Sequence, residues 1–327
     1  MKRREFIAVL GGAAVSLPLT ARAQKVQRIG VMMANYAEGD PEGQASRKAF
    51  VEALNKLGWV DGGNLSIVYR WDDGDAERIK ASADELVRSA PDVLVVATNP
   101  AVAVVHRLTR TIPVVFARVA DPVGSGFVGG LSRPGGNMTG FQASDSALGG
   151  KWVGVLKETV PGIGRVVVLY GSDSGGNIAL LQAAEAAASA AGVRLTALDV
   201  HRAADWEQQL GAFAGKPDGG LVVVAHPFTT ANRKAIIAAA ARYRLPAIYP
   251  YQFFARDGGL IAYGPDQIDQ WRGAASYVDR ILRGEKPGDL PVQAPVKYEL
   301  VINQKSATAL GIKVSPSVLA RADEVIE

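Results

Sequence analysis

Short runs of branched apolar residues alternate with longer segments of helical periodicity from residue 24 to the end of the chain. Residues 93–97, for example, form an uninterrupted apolar run, as in strands that are buried on both faces of a parallel sheet. Residues 44–57 instead carry apolar side chains at helical spacing and precede Gly58, a typical helix stop. In the first half the pattern predicts strands at 28–33, 65–69, 93–97 and 114–117 and helices at 44–57, 76–89 and 101–108.

The same alternation is repeated in the second half of the chain. Strands separated by helical segments of this length indicate parallel sheets with helices on both faces. Two such rounds in 327 residues predict an α/β fold with two similar lobes, each large enough to have its own core. Here strands are predicted at 166–170, 194–200, 220–224, 246–249, 260–263 and 299–303, and helices at 148–159, 178–191, 205–214, 231–243 and 267–283, with a short last helix ending at Leu310.

The first 23 residues have the features of an export signal. A basic start is followed by an apolar run at 6–19, which is shorter than the ~20 residues needed to span a bilayer. Ala21 and Ala23 stand where a signal peptidase reads small residues, so the mature chain is expected to begin at Gln24. Residues 3–7 also resemble a twin-arginine signal, and an ordinary Sec signal remains the alternative. Either route predicts a periplasmic protein.

Composition excludes several classes of protein. The chain has no Cys and only three His, which excludes thiolate metal sites, iron–sulfur clusters and a Cys nucleophile. The turn after the first strand has one glycine, and there is no Walker A sequence, so no nucleotide cofactor or metal is predicted. Of the net charge of +4, +3 belongs to the first 23 residues, and the nearly neutral remainder indicates no nucleic-acid partner.

Ligands of open α/β sheets bind beyond the carboxyl ends of the strands, so the binding residues are expected there. Neutral polar groups mixed with tyrosines suit a small, partly apolar solute better than a phosphate or a metal ion. In the first lobe these candidates are Asn35, Tyr36, Thr98, Asn99 and Asp121. In the second lobe they are Ser172, Asp173, Ser174, Asn177, His226, Tyr249 and Tyr251.

Purely structural roles also fit several of these residues. Asn99 and Asp121 each precede a proline and are ordinary turn residues. The serines at 172 and 174 also fit as caps of the helix that follows them. Tyr251 begins a Phe-rich segment and could simply pack there.

Several motifs follow one another in a recognisable order along the chain. In the first half these are IPVVF at 112–116, DPVG at 121–124 and RPGGNMTG at 133–140. In the second half they are RLPAIY at 244–249, GGLIAYG at 258–264, DRILRG at 279–284, LVIN at 300–303 and ARADEVI at 320–326. Together these motifs resemble the family of ABC-transporter substrate-binding proteins that includes tryptophan-binding lipoproteins. The resemblance covers essentially the whole mature chain, although the Cys of the lipoprotein members is missing.

The resemblance implies the type I periplasmic binding protein architecture, with two Rossmann-like lobes and a solute enclosed between them. It implies a first lobe of residues 24–142 plus 264–290 and a second of 143–263 plus 291–327. Thr139 and Tyr263 would then lie at the hinge and could touch the solute. The expected partners are a small solute and an inner-membrane ABC permease, and the expected state is a monomer.

For an amino-acid solute, we expect the carboxylate at the hydroxyls of residues 172–174 and the ammonium at Asp121 or Asp173. Other functions remain open from sequence. An exported hydrolase could use the same cleft, for example with Ser172, His226 and Asp121, although no local motif supports this triad. A receptor for a sensory partner is a further alternative. A LacI-type regulator would need a DNA-binding motif where the signal peptide stands.

Overall fold

The computed structural model describes residues 25–173, 175–200 and 205–327. The predicted signal peptide and Ser174 lie outside these residues. The described chain forms two sheets, one of five strands and one of seven, and each is covered by helices. We call the five-stranded sheet with its helices lobe one and the seven-stranded sheet with its helices lobe two.

The sheet of lobe one has the order β2-β1-β3-β4-β5, and all its pairs are parallel. β3 is apolar throughout and fully buried, as its sequence predicts. The β4–β5 register shifts between Phe116 and Val119, so the end of β4 is irregular. The strands are β1 (Gln27–Met33), β2 (Leu65–Trp71), β3 (Val93–Ala97), β4 (Val114–Val119) and β5 (Met138–Gln142).

The sheet of lobe two has the order β12-β11-β10-β9-β8-β6-β7. Its pairs are parallel except β10 with β11, which is antiparallel. The α/β prediction is therefore confirmed, with one antiparallel pair added. The strands are β6 (Arg165–Tyr170), β7 (Arg194–Asp199), β8 (Gly219–Val223), β9 (Ala247–Tyr249), β10 (Ile261–Pro265), β11 (Tyr298–Asn303) and β12 (Glu324–Ile326).

The helices lie close to their predicted positions, with differences at several ends. The helix predicted at 231–243 begins at Arg233, after a separate short helix that ends at Ala231 and was not predicted. The helix predicted from 44 begins at Pro41, because Asp40 caps it by accepting the amides of Glu42 and Gly43. The helices are α1 (Pro41–Lys56), α2 (Ala76–Arg88), α3 (Asn99–Leu108), α4 (Leu148–Thr159), α5 (Gly175–Ala190), α6 (Trp206–Ala214), α7 (Pro227–Ala231), α8 (Arg233–Arg242), α9 (Gln252–Arg256), α10 (Gln267–Leu282), α11 (Gln304–Leu310) and α12 (Pro316–Leu319), with a 3-10 turn at Pro287–Asp289.

The chain passes between the lobes three times. It leaves lobe one after β5, returns after β10 so that α10 packs into the core of lobe one, and leaves again before β11. Val292 still packs in the core of lobe one. Neighbouring crossing segments are joined by backbone hydrogen bonds, with the Gln142 amide donating to the Gln293 carbonyl at 2.8 Å. This arrangement brings the carboxyl ends of the strands of both sheets toward a common cleft.

Candidate functional site

A cavity of about 350 Å³ lies between the two lobes, and residues of both line it. This volume is within the range of small-molecule sites, roughly 300–1,000 Å³. Several residues expected from the sequence line it together. From lobe one these are Asn35, Thr98 and Asn99, and from lobe two Asp173, Asn177, His226 and Tyr251.

Asn35 and Thr98 follow β1 and β3 and both have left-handed backbone conformations, with φ of 68° and 70°. Such values are unusual for non-glycine residues and a genuine outlier for a branched residue such as threonine. The Asn35 amide donates to the Asp72 carboxylate at 3.0 Å, which fixes the turn after β1. Among the described residues, neither Asn35 Oδ1 nor Thr98 Oγ1 has a hydrogen-bond partner, although both atoms are buried.

Asn99 braces a loop at the wall of the cavity. Its Nδ2 donates to the Ala120 carbonyl at 2.7 Å, and its Oδ1 accepts the Ala120 amide at 2.8 Å. Both ends of the side-chain amide are therefore used to hold the segment after β4. The turn role considered from the sequence is present here, at a residue that also lines the cavity.

Arg118 lines the cavity and was missed by the sequence analysis. It is only 6% exposed, near the end of β4, and its φ of 58° accompanies the register shift in that strand. Its guanidinium lies 5.1 Å from the Tyr36 ring centroid and 5.5 Å from that of Tyr251. The sequence does contain one indication of this role, a single arginine in an otherwise apolar strand. Burial of a charged side chain is costly, so an arginine in such a strand is a candidate functional residue.

His226 and Asp173 form the polar wall of lobe two. His226 Nδ1 accepts the Phe228 amide at 3.2 Å, so the ring hydrogen is assigned to Nε2, which then donates to Asp173 Oδ1 at 3.0 Å. The imidazole packs against the backbone of Gly171, where a methyl group would lie 2.5 Å from the ring. Glycine at 171 therefore lets the histidine lie against the end of β6.

The start of α5 meets lobe one beside the cavity. Gly175 and the buried Asn177 both line the cavity. A methyl group on Gly176 would lie 2.5 Å from the Ala120 Cβ of the other lobe. The two lobes are thus in close contact here, and the structure is a closed arrangement.

The apolar part of the lining is contributed by both lobes. Phe127 and Leu180 are buried, and the smaller Ala103, Ala143 and Ala225 leave room between them. Together with Tyr251 these residues provide a mixed apolar and aromatic surface. This composition fits a solute with a polar end and a bulky apolar end.

Two tyrosines and one threonine that were expected at the site lie in other surroundings. Tyr249 is 1% exposed and stacks on Phe254 at 5.1 Å in the core of lobe two. Tyr263 is half-buried and stacks on Tyr298 at 6.0 Å. Thr139 is fully buried, and its hydroxyl donates to the Leu290 carbonyl at 2.6 Å. These residues lie outside the cavity lining, and Thr139 and Tyr263 belong to β5 and β10, the strands that lead into crossings.

The other candidates lie close to the cavity without lining it. Tyr36 contacts Arg118, whose Nη1 donates to the tyrosine hydroxyl at 2.8 Å, and burial raises the pKa of Tyr36 to about 12. Asp121 accepts the Gly124 amide at 2.8 Å. Ser172 donates to Asp199 Oδ2 at 2.5 Å. Ser174 lies outside the described residues.

Two acidic side chains of lobe one have raised pKa values. Burial raises the pKa of Asp72 above its ordinary value, although the amides of Gly74 and Asn35 oppose the shift. Burial likewise raises the pKa of Glu42, and the charge of Arg256 partly offsets this increase.

Within the described ranges, no group of three or more His, Asp or Glu side chains could hold a metal ion. No helix among the described residues has both the length and the apolar character needed to cross a bilayer.

Two α/β lobes joined by three crossings, with a cavity between them, define a binding protein of the type I periplasmic architecture. The family model of ABC transporter substrate binding proteins matches residues 31–326, and the chain belongs to this family. The family resemblance inferred from the sequence motifs is therefore confirmed.

The chain is also similar to individual proteins. It is 23% identical over 273 residues to the tyrosine-binding protein of Clostridioides difficile, covering 84% of this chain and 78% of that protein. A conserved domain protein from Vibrio cholerae superposes with a TM-score of 0.84 at 28% identity, covering 92% of this chain and all of that one. A Streptococcus ABC domain in complex with L-Trp gives 0.83 at 24% identity, covering 92% and 99% of the two chains.

Proposed function

We propose that this chain encloses a small solute between its lobes and delivers it to an ABC permease of the inner membrane. The observation that carries the proposal is the cavity lined by polar side chains of both lobes, Thr98 on one side and His226 on the other. A solute can touch both walls only when the lobes are closed, so it shifts the population toward the closed form. A swing from 1:99 to 99:1 requires about 5.5 kcal/mol of differential binding.

The proposed solute is an amino acid with an aromatic side chain. The names of the tyrosine-binding relative and of the L-Trp complex support this choice, as does the aromatic and apolar lining around Tyr251 and Phe127. The ammonium group is proposed to approach Asp173, which lines the cavity, in preference to Asp121, which does not. The hydroxyl of Ser172 already donates to Asp199, so the carboxylate needs donors elsewhere in the cavity.

The location and organisation of the protein belong to the same proposal. The signal at residues 1–23 would take the chain to the periplasm by the twin-arginine or the Sec route, where it would act as a monomer. The lobes would move as bodies close to 24–142 with 264–290 and 143–263 with 291–327, except that Val292, which packs in the core of lobe one, would move with lobe one. The strands containing Thr139 and Tyr263 would carry the hinge.

Binding without chemical conversion is favoured over hydrolysis by the hydrogen bonds of the proposed triad members. Ser172 donates to Asp199, and His226 presents a protonated Nε2 to Asp173. A histidine base would need an unprotonated nitrogen directed at the serine. This arrangement supports a receptor that returns its solute unchanged.

The test is calorimetry and thermal denaturation of the mature chain from Gln24 with the common amino acids and with neutral sugars. We expect tyrosine or tryptophan to bind and to raise the melting temperature. Mass spectrometry should recover the solute unchanged after incubation. Binding of sugars alone would contradict the proposed solute, and a converted solute would contradict the receptor role.

A further inference from the structure

Arg118 places a positive charge at the wall of the cavity, and none of the described carboxylates forms an ion pair with it. Among the residues that the structure describes, the groups acting on the guanidinium are the hydroxyls of Tyr36 and Tyr251. An arginine side chain stays protonated in proteins, so the guanidinium is charged. A buried charge without an opposite partner is costly, so its retention calls for an explanation.

The atom of Arg118 that lacks a partner is Nε. Nη1 donates to the Tyr36 hydroxyl at 2.8 Å, whereas the buried Nε has no acceptor in the part of the chain that the structure describes. The Tyr36 and Tyr251 rings, contributed by different lobes, both lie within 6 Å of the guanidinium, as cation–π contacts require. The side chain is thus held in place while one charged N–H donor stays available. Preorganised donors of this kind bind an anion without a large ordering cost.

Two further unpartnered atoms belong to the same wall of the cavity. Thr98 Oγ1 can donate or accept, and Asn35 Oδ1 can accept. Asn35, Thr98 and Arg118 lie at neighbouring strand ends. Their backbone φ angles are all positive, at 68°, 70° and 58° respectively. Backbone strain that clusters at one end of a sheet, together with unsatisfied polar atoms, is typical of a binding site.

We infer that Arg118, Thr98 and Asn35 form a head-group subsite for a carboxylate that carries a hydrogen-bond donor on the adjacent carbon. Arg118 Nε and the Thr98 hydroxyl donate to the carboxylate, and Asn35 Oδ1 accepts from the neighbouring donor. The α-carboxylate and α-ammonium of an amino acid have this pattern, and the ammonium carries further N–H groups for Asp173, so the inference rests on the proposed function and deepens it. Lobe one would bind this end of the solute whatever side chain faces Phe127.

The inference is tested by comparing each aromatic amino acid with its C-terminal amide, which keeps the ring and the amine but removes the negative charge. Calorimetry of the wild-type protein is expected to give at least about tenfold weaker binding of the amide, as for a lost charge-assisted hydrogen bond. Arg118→Gln should weaken binding of the acid by about 10- to 100-fold and leave the weak amide binding nearly unchanged. Arg133→Gln, an exposed arginine of the same lobe, is the matched control and should bind both as the wild type does.

Thermal denaturation without solute separates this role from a purely structural one. Arg118→Met removes an uncompensated buried charge, so its melting temperature should equal or exceed that of the wild type while binding of the acid is lost. The inference would be overturned if Arg118→Met lowered the melting temperature markedly while Arg118→Lys and Arg118→Gln still bound the acid as the wild type does. Equal binding of acid and amide would overturn it while leaving the amino-acid receptor intact. Binding of neutral sugars only would overturn both.

Discussion

Gly176 of α5 faces Ala120 across the interface between the lobes so closely that a methyl group on Gly176 would lie 2.5 Å from the Ala120 Cβ. The added atom would meet the partner lobe only when the lobes are closed. Within lobe two, Gly176 occupies the first turn of a 16-residue helix, where alanine is a better helix former than glycine. A Gly176→Ala substitution is therefore expected to disfavour closure of the lobes and to stabilise helix α5.

Gly176→Ala is expected to weaken solute binding while leaving the protein as stable as before or more stable. Overpacking of a tight contact costs roughly 1–3 kcal/mol, which corresponds to about 5- to 150-fold in affinity. The helix itself should gain up to about 1 kcal/mol. Calorimetry and chemical denaturation without solute measure the two effects.

The matched control is Gly154→Ala, an exposed glycine of α4 with no atom near the position of the added methyl group. It should stabilise the protein and leave affinity unchanged. If Gly176→Ala binds as tightly as the wild type, the close contact between the lobes does not form in the bound state.

Tyr251→Leu is expected to reduce affinity because it removes a ring of lobe two from the guanidinium of lobe one. The centroid of the Tyr251 ring lies 5.5 Å from the Arg118 guanidinium, and Tyr251 lines the cavity. Loss of a buried cation–π contact of about 1–2 kcal/mol predicts roughly a 5- to 30-fold weaker association.

Tyr243→Leu is the control for this change, because Tyr243 also lies under an arginine of lobe two, Arg242 at 5.4 Å, but away from the cavity. Calorimetry should show no loss of affinity for this variant. Similar losses in both variants would indicate a general effect on lobe two instead of a contact made at closure.

An ion pair also joins the lobes beside the cleft. The Arg233 guanidinium of α8 lies 3.7 Å from the Asp40 carboxylate at the start of α1. Asp40→Asn removes the charge and keeps a residue that caps helices well. We expect solute binding to weaken by at most about fivefold at low salt, with a smaller difference from the wild type at high salt.

Calorimetry at two salt concentrations checks this prediction. Glu52→Gln, which removes an exposed charge opposite Lys48 on the same helix, should change neither affinity nor its salt dependence. A loss of affinity for Asp40→Asn that is the same at both salt concentrations would contradict an electrostatic contribution to closure.

Asp72→Asn is expected to change how stability depends on pH. Burial raises the pKa of Asp72 in the folded protein above its ordinary value of 3.8. The protonated carboxyl is therefore tolerated in the folded state better than the ionised one. The resulting stability is fully present below pH 3.8 and is lost as pH rises through the raised pKa. The free energy of unfolding of the wild type, minus that of the variant, should therefore decrease as pH increases above about 3.8. The asparagine Oδ1 can still accept the Asn35 amide.

Chemical denaturation across a pH series measures this difference. Asp73→Asn changes the exposed neighbouring carboxylate and serves as the reference. A difference that rises with pH would contradict the direction of the shift at Asp72.

Much of the fold could be predicted because the apolar pattern reflects burial directly. β3 is a continuous apolar run and is buried on both faces, and α10 follows helical spacing along the stripe that packs on lobe one. Strand direction is not encoded in such a pattern, so the antiparallel pairing of β11 was not predicted. The start of α1 depends on a cap at Asp40, which periodicity does not detect.

The candidate residues divide for a similar reason. Strand ends could be located from the sequence, and Thr98 and His226 indeed line the cavity. The sequence does not reveal that Tyr249 points into the core, because side-chain direction depends on how the sheet is packed. Arg118 was missed because its position at the cavity wall coincides with an irregular strand end, and such a register shift is not visible in the sequence pattern.

The most direct test of the account is a crystal structure of the mature protein with the amino acid that raises its melting temperature most. The account predicts the solute between the lobes, in contact with both, with a carboxylate oxygen within hydrogen-bond distance of Arg118 Nε. A solute bound to the outer surface of one lobe, with the cavity between the lobes empty, would contradict it.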